Sequence, residues 1–125
     1  KGFQYHSEKG ARAVKLSVHK DAFRGAGALP DEVLSYYNGG GVFVSPKELG
    51  DDVEVLASYA SDLDVDGGQD KAAMVYCKVG MGCAVLSGPH PEFAPANLSQ
   101  QYDVPGYDEL IASLRASDEV RAAFL

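Results

Sequence analysis

A histidine and a glutamate two residues apart are the pair in this sequence best suited to acid–base chemistry. His90 and Glu92 lie in a Gly-Pro-His-Pro-Glu segment at positions 88–92. An imidazole can take a proton from a nucleophile while a nearby carboxylate orients the ring and stabilises its charged form. The two prolines restrict the backbone on either side of the histidine, which favours a fixed position. A proline-rich turn without chemistry has the same residues, so the motif alone leaves both interpretations open.

A second candidate is the glycine cluster formed by Asn38, Gly39, Gly40 and Gly41. The backbone amides of such a loop can bind an anion. The cluster lacks the lysine and the following helix that characterise a phosphate-binding loop. The alternative interpretation is a tight backbone passage near the functional edge of the domain. These four residues are the predicted binding residues.

Metal binding finds little support in the ligand spacing. The acidic segment from Asp62 to Gly67 imitates the start of a calcium loop, but the twelfth position is Ala73 instead of a bidentate glutamate. His6 and His19 have no partners at ligand spacing. We therefore expect no metal site, and an exposed acidic turn between strands from Asp62 to Asp70.

Composition and charge exclude several classes of function. The chain has 125 residues, eleven basic against eighteen acidic, and a formal net charge of -7. A polyanionic backbone or an anionic membrane surface would be repelled, so neither nucleic acid nor membrane is an expected partner. The sequence has no apolar run long enough to span a bilayer and no signal-peptide pattern. A cytoplasmic location is expected.

Hydrophobic periodicity places these motifs on a strand-rich chain. Alternating or apolar runs predict strands at 13–19, 32–37, 42–44, 53–59, 72–79 and 83–87. The last two form a hairpin closed at Gly80 and Met81. Alternation then places Cys77 and Cys83 on opposite faces, and we interpret them as two buried free thiols. Tyr36, Tyr37 and Phe93 are interpreted as packing residues.

The C-terminal part changes to a helical period. Apolar residues at i, i+3, i+4 and i+7 from Tyr107 to Leu114 predict one amphipathic helix. Asp118 is expected to cap a second short helix whose inward residues are Val120, Ala123 and Phe124. Successive strands followed by helices indicate either half of an α/β fold or a small α+β domain.

Beyond these patterns, the chain resembles the N-terminal domain of fungal biotin–protein ligases, a branch of the class I glutamine amidotransferase superfamily. The matching stretches follow the family's order and cover most of the chain: 7–15, 36–41, 53–57, 75–80 and 87–93. Within the last stretch, His90 and Glu92 match the histidine and glutamate of the amidotransferase triad. The resemblance implies that they are catalytic positions.

The resemblance also implies a fold. It is an α/β, class I glutamine amidotransferase-like (flavodoxin-like) domain, here its second half, with successive mostly antiparallel strands and C-terminal helices. Residues 1–125 would be one partial domain of a longer chain. The family's nucleophile, a cysteine on a Gly-x-Cys-x-Gly elbow, has no counterpart in the sequence. Cys83 follows a glycine but lies at the start of a strand, which makes it a poor nucleophile candidate.

The function implied by the resemblance is that of a non-catalytic or regulatory domain. The parent enzyme would attach biotin to carboxylase lysines using ATP, and both ATP and biotin would belong to a ligase domain outside this chain. Expected partners are that ligase domain and the biotin carrier substrate, and exposed strand edges could form a homodimer. One alternative is part of an amidase-like cysteine hydrolase whose nucleophile lies upstream. Another is a partner-binding module.

Overall fold

The protein folds as an antiparallel sheet followed by two helices. The computed structural model describes residues 3–5, 11–24, 27–61, 68–98 and 105–125. In these residues the strands are β1 (Phe3–Tyr5), β2 (Arg12–Val18), β3 (Glu32–Tyr37), β4 (Gly41–Phe43), β5 (Val53–Tyr59), β6 (Ala72–Val79) and β7 (Gly82–Ser87). The α-helices are α1 (Tyr107–Ala116) and α2 (Asp118–Phe124), and short 3-10 turns occupy Lys20–Ala22, Pro46–Leu49 and Pro95–Asn97.

The described strands form one sheet in the order β1-β4-β6-β5-β2-β3, and β7 pairs with β6. Every pairing between them is antiparallel. The fold is therefore an α/β arrangement with an antiparallel sheet and C-terminal helices. The strands predicted from periodicity and the hairpin at Gly80 and Met81 are confirmed.

Alternation along β2 shows why these segments become strands. Val14 and Leu16 are buried, whereas Lys15 between them is exposed. This is the pattern of a strand with one face on a core. The main core draws on β2 to β6 and on α2, and its buried members are Val14, Leu16, Val33, Tyr37, Val42, Leu56, Ala57, Tyr59, Ala73, Met74 and Phe124.

The segment after β7 ties two distant parts of the sheet together. The backbone N–H of Gly88 donates to the carbonyl of Ala73 on β6 at 2.9 Å. The N–H of His90 donates to the carbonyl of Tyr36 at 2.7 Å, on β3 at the far end of the strand order. Because one short segment bonds to both strands, the sheet must curve around its main core.

The first helix is as predicted, and the second is oriented differently. Residues Tyr107, Leu110, Ile111 and Leu114 are buried and pack with Tyr36. In α2, Asp118 is the first helical residue and makes no side-chain cap, and Val120 and Ala123 are exposed. The inward pair is Arg121 and Phe124, which share one helix face at i, i+3 spacing. The predicted cap and two of the three predicted inward residues are wrong.

The cysteine prediction is half correct. Cys77 pairs with Ala84 and Lys78 pairs with Cys83, so the two thiols lie on opposite faces of the hairpin, and both are free. Cys83 is exposed and Cys77 is partly exposed, which contradicts two buried thiols. The reason is that β7 contributes no residue to the buried clusters of the described structure, so most of its side chains stay uncovered.

Some predictions fall on other parts of the chain. His6 and residues 62–67 of the predicted acidic turn lie outside the described residues, whereas residues 68–70 of that turn are described and form a turn. Neither α1 nor α2, the helices of the described segments, is long and apolar enough to cross a membrane.

Candidate functional site

The two residues selected for acid–base chemistry are in contact. Nδ1 of His90 lies 2.9 Å from Oε1 of Glu92. An ionised carboxylate only accepts hydrogen bonds, so Nδ1 is the donor, and in the neutral imidazole Nε2 then carries the free lone pair. Nε2 makes no hydrogen bond to any residue that the structure describes. The pair thus has the arrangement of a base and its orienting carboxylate.

Buried prolines and local hydrogen bonds hold the segment that carries this pair. Pro89 and Pro91 are buried, whereas Glu92 is exposed. The hydroxyl of Ser87 donates to the carbonyl of Pro89, and the N–H of Phe93 donates to the carbonyl of His90 at 3.2 Å. Buried prolines therefore alternate with the two functional side chains and direct them to the surface.

An aromatic surface surrounds the histidine. The rings of His90 and Phe93 stack with centroids 4.8 Å apart and an interplanar angle of 13°. Tyr36 lies beneath them, 6.0 Å from His90 and 5.6 Å from Phe93. Tyr36 and Tyr37 are buried as predicted, but Phe93 is 40% exposed, so its ring packs against its neighbours and also reaches solvent.

The glycine loop lies against the same segment. A Cβ added to Gly40 would overlap the carbonyl oxygen of Gly88, so the two backbones touch. The phenol of Tyr37 donates to the carbonyl of Gly40 and that of Tyr59 to the carbonyl of Gly41, each at 2.7 Å. The structure thus brings the two predicted site segments together. The tight backbone passage is present, and anion binding by Asn38, Gly39, Gly40 and Gly41 stays a prediction.

Behind the glycine loop lies a polar cluster that sequence reasoning missed. The Arg12 guanidinium lies 4.6 Å from the centroid of the Tyr37 ring. Burial raises the pKa of Tyr59 above its usual range, and the nearby Tyr37 adds to this effect while Arg12 opposes it. Arg12 and Tyr37 meet because they are register partners of β2 and β3. A sequence without the strand pairing gives no signal for that contact.

No described thiol reaches the histidine. Cys83 is the second residue of β7, five residues before Gly88, which is a span of about 16 Å in an extended strand. The Cys83 side chain instead forms a hydrogen bond with the Tyr76 phenol, and this bond raises the pKa of that phenol. Cys77 points to the other face of the hairpin. Within the described residues, the His–Glu pair has no cysteine nucleophile.

Other polar groups do not extend the site. His19 and Ser58 bond to each other, with Nε2 and Oγ 3.0 Å apart, at the β2–β5 pairing. In the described ranges no three His, Cys, Asp or Glu side chains are grouped closely enough to hold a metal ion.

The fold and the site define an α/β domain that presents a His–Glu pair on a proline-braced segment. All of residues 1–125 match the family model described as biotin-protein ligase, N terminal. The chain is also 39% identical over 93 residues to a biotin–protein ligase of Schizosaccharomyces pombe, which covers 74% of this chain and 13% of that relative. No solved structure matches the chain. The chain belongs to the biotin–protein ligase N-terminal family, which confirms the resemblance to that domain of biotin–protein ligases.

Proposed function

We propose that this chain is a non-catalytic, regulatory domain of a biotin–protein ligase. The observation that carries the proposal is the His90–Glu92 pair, which is formed and open to the surface but has no thiol beside it among the described residues. A triad without its nucleophile loses nearly all covalent chemistry. The parent enzyme would attach biotin to carboxylase lysines using ATP. ATP and biotin would be bound by its ligase domain.

The surface formed by His90, Glu92 and Phe93 is suited to docking. Phe93 offers a partly exposed aromatic ring, and aromatic residues are enriched among the residues that dominate interface energies. Nε2 of His90 and the carboxylate of Glu92 add hydrogen-bonding groups beside that ring. We propose that this surface contacts the ligase domain, or the biotin carrier that approaches it.

Kinetics of the full-length ligase test this role. Phe93→Ala and His90→Ala should each lower kcat/KM for the carrier about 3- to 10-fold, and leave biotinyl-AMP formation unchanged, since the ligase site itself is intact. Leu49→Ala is the matched control, because Leu49 is also exposed but lies in the Pro46–Leu49 turn. If removal of the whole domain left ligase kinetics and stability unaltered, the regulatory role would be abandoned.

We also propose the finer fold assignment, in which this chain forms the second half of a class I glutamine amidotransferase-like, flavodoxin-like domain. It is supported by the resemblance and by the position of the His–Glu segment directly after β7. In a flavodoxin-like domain, parallel strands should flank the described antiparallel part. A structure of a longer stretch of the parent protein would reveal their presence or absence.

A second candidate function is amide hydrolysis, and the tautomer set by Glu92 favours it. With Nδ1 bonded to the carboxylate, Nε2 of His90 is free to accept a proton from a cysteine supplied from outside this chain. The full-length protein would then release ammonia from glutamine, and His90→Ala would abolish the release. No turnover of any amide by the full-length protein would exclude this function.

Self-association is a further proposal, and it rests on β7. Its outer edge has no described partner, the strand contains no charged residue, and Val85 and Leu86 are 55% and 47% exposed. Natural edge strands are usually protected by charge, proline or a covering element. An uncharged apolar edge can pair with the same edge of a second copy.

A further inference from the structure

Arg121 is an unexpected residue in the fold. Its side chain is 7% exposed, on the face of α2 that packs inward. A buried guanidinium is costly unless charged or polar partners satisfy it. Its Nε donates to Oδ1 of Asp118 and its Nη1 donates to the backbone carbonyl of Pro91, both at 2.7 Å. Two short charge-assisted hydrogen bonds fix the guanidinium in one orientation.

The second of these bonds reaches the candidate site. Pro91 is the residue between His90 and Glu92, and its ring is buried. The N–H of His90 is bonded to Tyr36 and that of Phe93 to the carbonyl of His90. The carbonyl of Pro91 lies between these two backbone bonds. It accepts a hydrogen bond from Arg121, which lies on a helix thirty residues further along the chain.

The geometry of the pair depends on this hydrogen bond. An i, i+2 contact between Nδ1 and Oε1 requires the backbone between the two residues to keep one conformation. Rotation of the peptide that follows Pro91 would move Glu92 away from the imidazole. Proline fixes only φ of its own residue and leaves ψ free, and the hydrogen bond from Arg121 to the Pro91 carbonyl restricts that ψ.

We propose that Arg121, oriented by Asp118, is a positioning residue that holds His90 and Glu92 in their hydrogen-bonded arrangement. The inference rests on the proposed function of the His90 surface, since a positioned pair matters only if that surface is used. A purely structural role would be to dock α2. However, α2 has a separate anchor in Phe124, whose ring packs edge-on against Phe23 with centroids 5.8 Å apart. We therefore expect the helix to stay attached when the guanidinium is lost.

Histidine side-chain nitrogen NMR on the 125-residue chain tests the proposal, because it reports the tautomer directly. In the wild type the Nδ1–H form of His90 should dominate, and Glu92→Ala should shift the ring to the Nε2–H form. Arg121→Met should produce the same shift, with the Nδ1–H form falling to the minor species, while amide dispersion and Tm show a folded chain. Arg121→Lys should restore part of it, since an ammonium can still donate to Pro91. Arg115→Met, at an exposed position of α1, is the matched control and should leave the tautomer unchanged.

An unchanged His90 tautomer in folded Arg121→Met would overturn the inference. If that variant does not fold, Asp118→Ala takes its place, because it removes the oxygen that accepts from Nε of Arg121 at a partly exposed position, and leaves the guanidinium without its orienting partner. A partial loss of the Nδ1–H form is then expected, and no loss would overturn the inference. The readout is independent of ligase kinetics. A tautomer shift by Arg121→Met with unaltered carrier kinetics for His90→Ala would retain the positioning role and remove the proposed function.

Discussion

Gly40 and Gly88 are in direct backbone contact, and this contact joins the two candidate segments. A Cβ on Gly40 would overlap the carbonyl oxygen of Gly88, and a Cβ on Gly88 would overlap the carbonyl oxygen of Gly41. Neither obstacle is a flexible side chain that could move aside. The glycine loop and the His90 segment therefore pack directly against each other, because the two backbone segments approach more closely than a Cβ would allow.

Substitution of Gly40 tests that contact. Gly40→Ala should lower the free energy of unfolding by about 3 kcal/mol, the upper part of the range for overpacking. Denaturant titration measures the change, and the slope of unfolding free energy against denaturant concentration should not alter. Gly27→Ala is the control, since its Cβ would meet nothing within 4 Å. Equal stabilities of the two variants would contradict the backbone contact.

Ser35 offers the opposite test. Its hydroxyl is fully buried on β3 and has no hydrogen-bond partner in the described structure. An unsatisfied buried polar group costs about 1–3 kcal/mol, so Ser35→Ala should leave stability unchanged or raise it by about 1 kcal/mol. Ser58→Ala is the control and should destabilise the protein, since that hydroxyl bonds to His19. Thermal or chemical unfolding distinguishes the two, and a clear destabilisation by Ser35→Ala would show that the hydroxyl has a partner.

The raised pKa of the Tyr59 phenol predicts that the protein loses stability at alkaline pH. Burial raises the pKa of its phenol in the folded protein, whereas in the unfolded chain the phenol ionises near pH 10. The contribution of Tyr59 to the free energy of unfolding is therefore complete below pH 10. Above pH 10 it decreases by up to about 1.4 kcal/mol per pH unit. Tyr59→Phe should be less stable than the wild type near pH 8, because the hydrogen bond to the Gly41 carbonyl is lost. The difference in unfolding free energy between the two proteins should narrow towards pH 11. Parallel profiles of unfolding free energy against pH would contradict this.

The two thiols should differ in reactivity. Cys83 is exposed and Cys77 is partly covered, so a thiol reagent should modify Cys83 first. Mild oxidation should not link them within one chain, because they lie on opposite faces of the hairpin. Intact mass with peptide mapping measures both outcomes. An intramolecular disulfide in the folded protein would show that the β6–β7 register differs from the one described.

The β7 edge gives a prediction about association. If it pairs with a second copy, the wild-type chain should dimerise in sedimentation experiments, and Val85→Lys should make it monomeric by placing a charge on the edge. Leu49→Lys carries the same change at an exposed apolar site elsewhere and should still dimerise. A wild-type chain that is monomeric at all concentrations would exclude pairing through β7.

Much of the local structure could be predicted from the sequence. Alternation in segments such as 53–59 predicted strands, and the i, i+3, i+4, i+7 pattern from Tyr107 predicted α1, because each period reports which side of an element faces a core. The opposite-face placement of Cys77 and Cys83 followed from the same rule. The identity of the family also came from the order of residues along the chain.

Other features depended on contacts that no local pattern contains. Periodicity reports that a face is buried but not against what, so the inward position of Arg121 on α2 required the carbonyl of Pro91 to be placed beside it. The exposure of Cys83 was decided by tertiary packing, since no residue of β7 belongs to a buried cluster of the described structure.

The sequence by itself determined strands β2 to β7, the presence of the two helices, the inward face of α1 and the spacing of His90 and Glu92. The tertiary structure decided that this pair bonds through Nδ1, that Phe93 stacks on it, and that the glycine loop lies against it. The physical reason is that strand pairing and helix docking bring together residues far apart in sequence. The energies of those contacts depend on distances that a sequence does not contain.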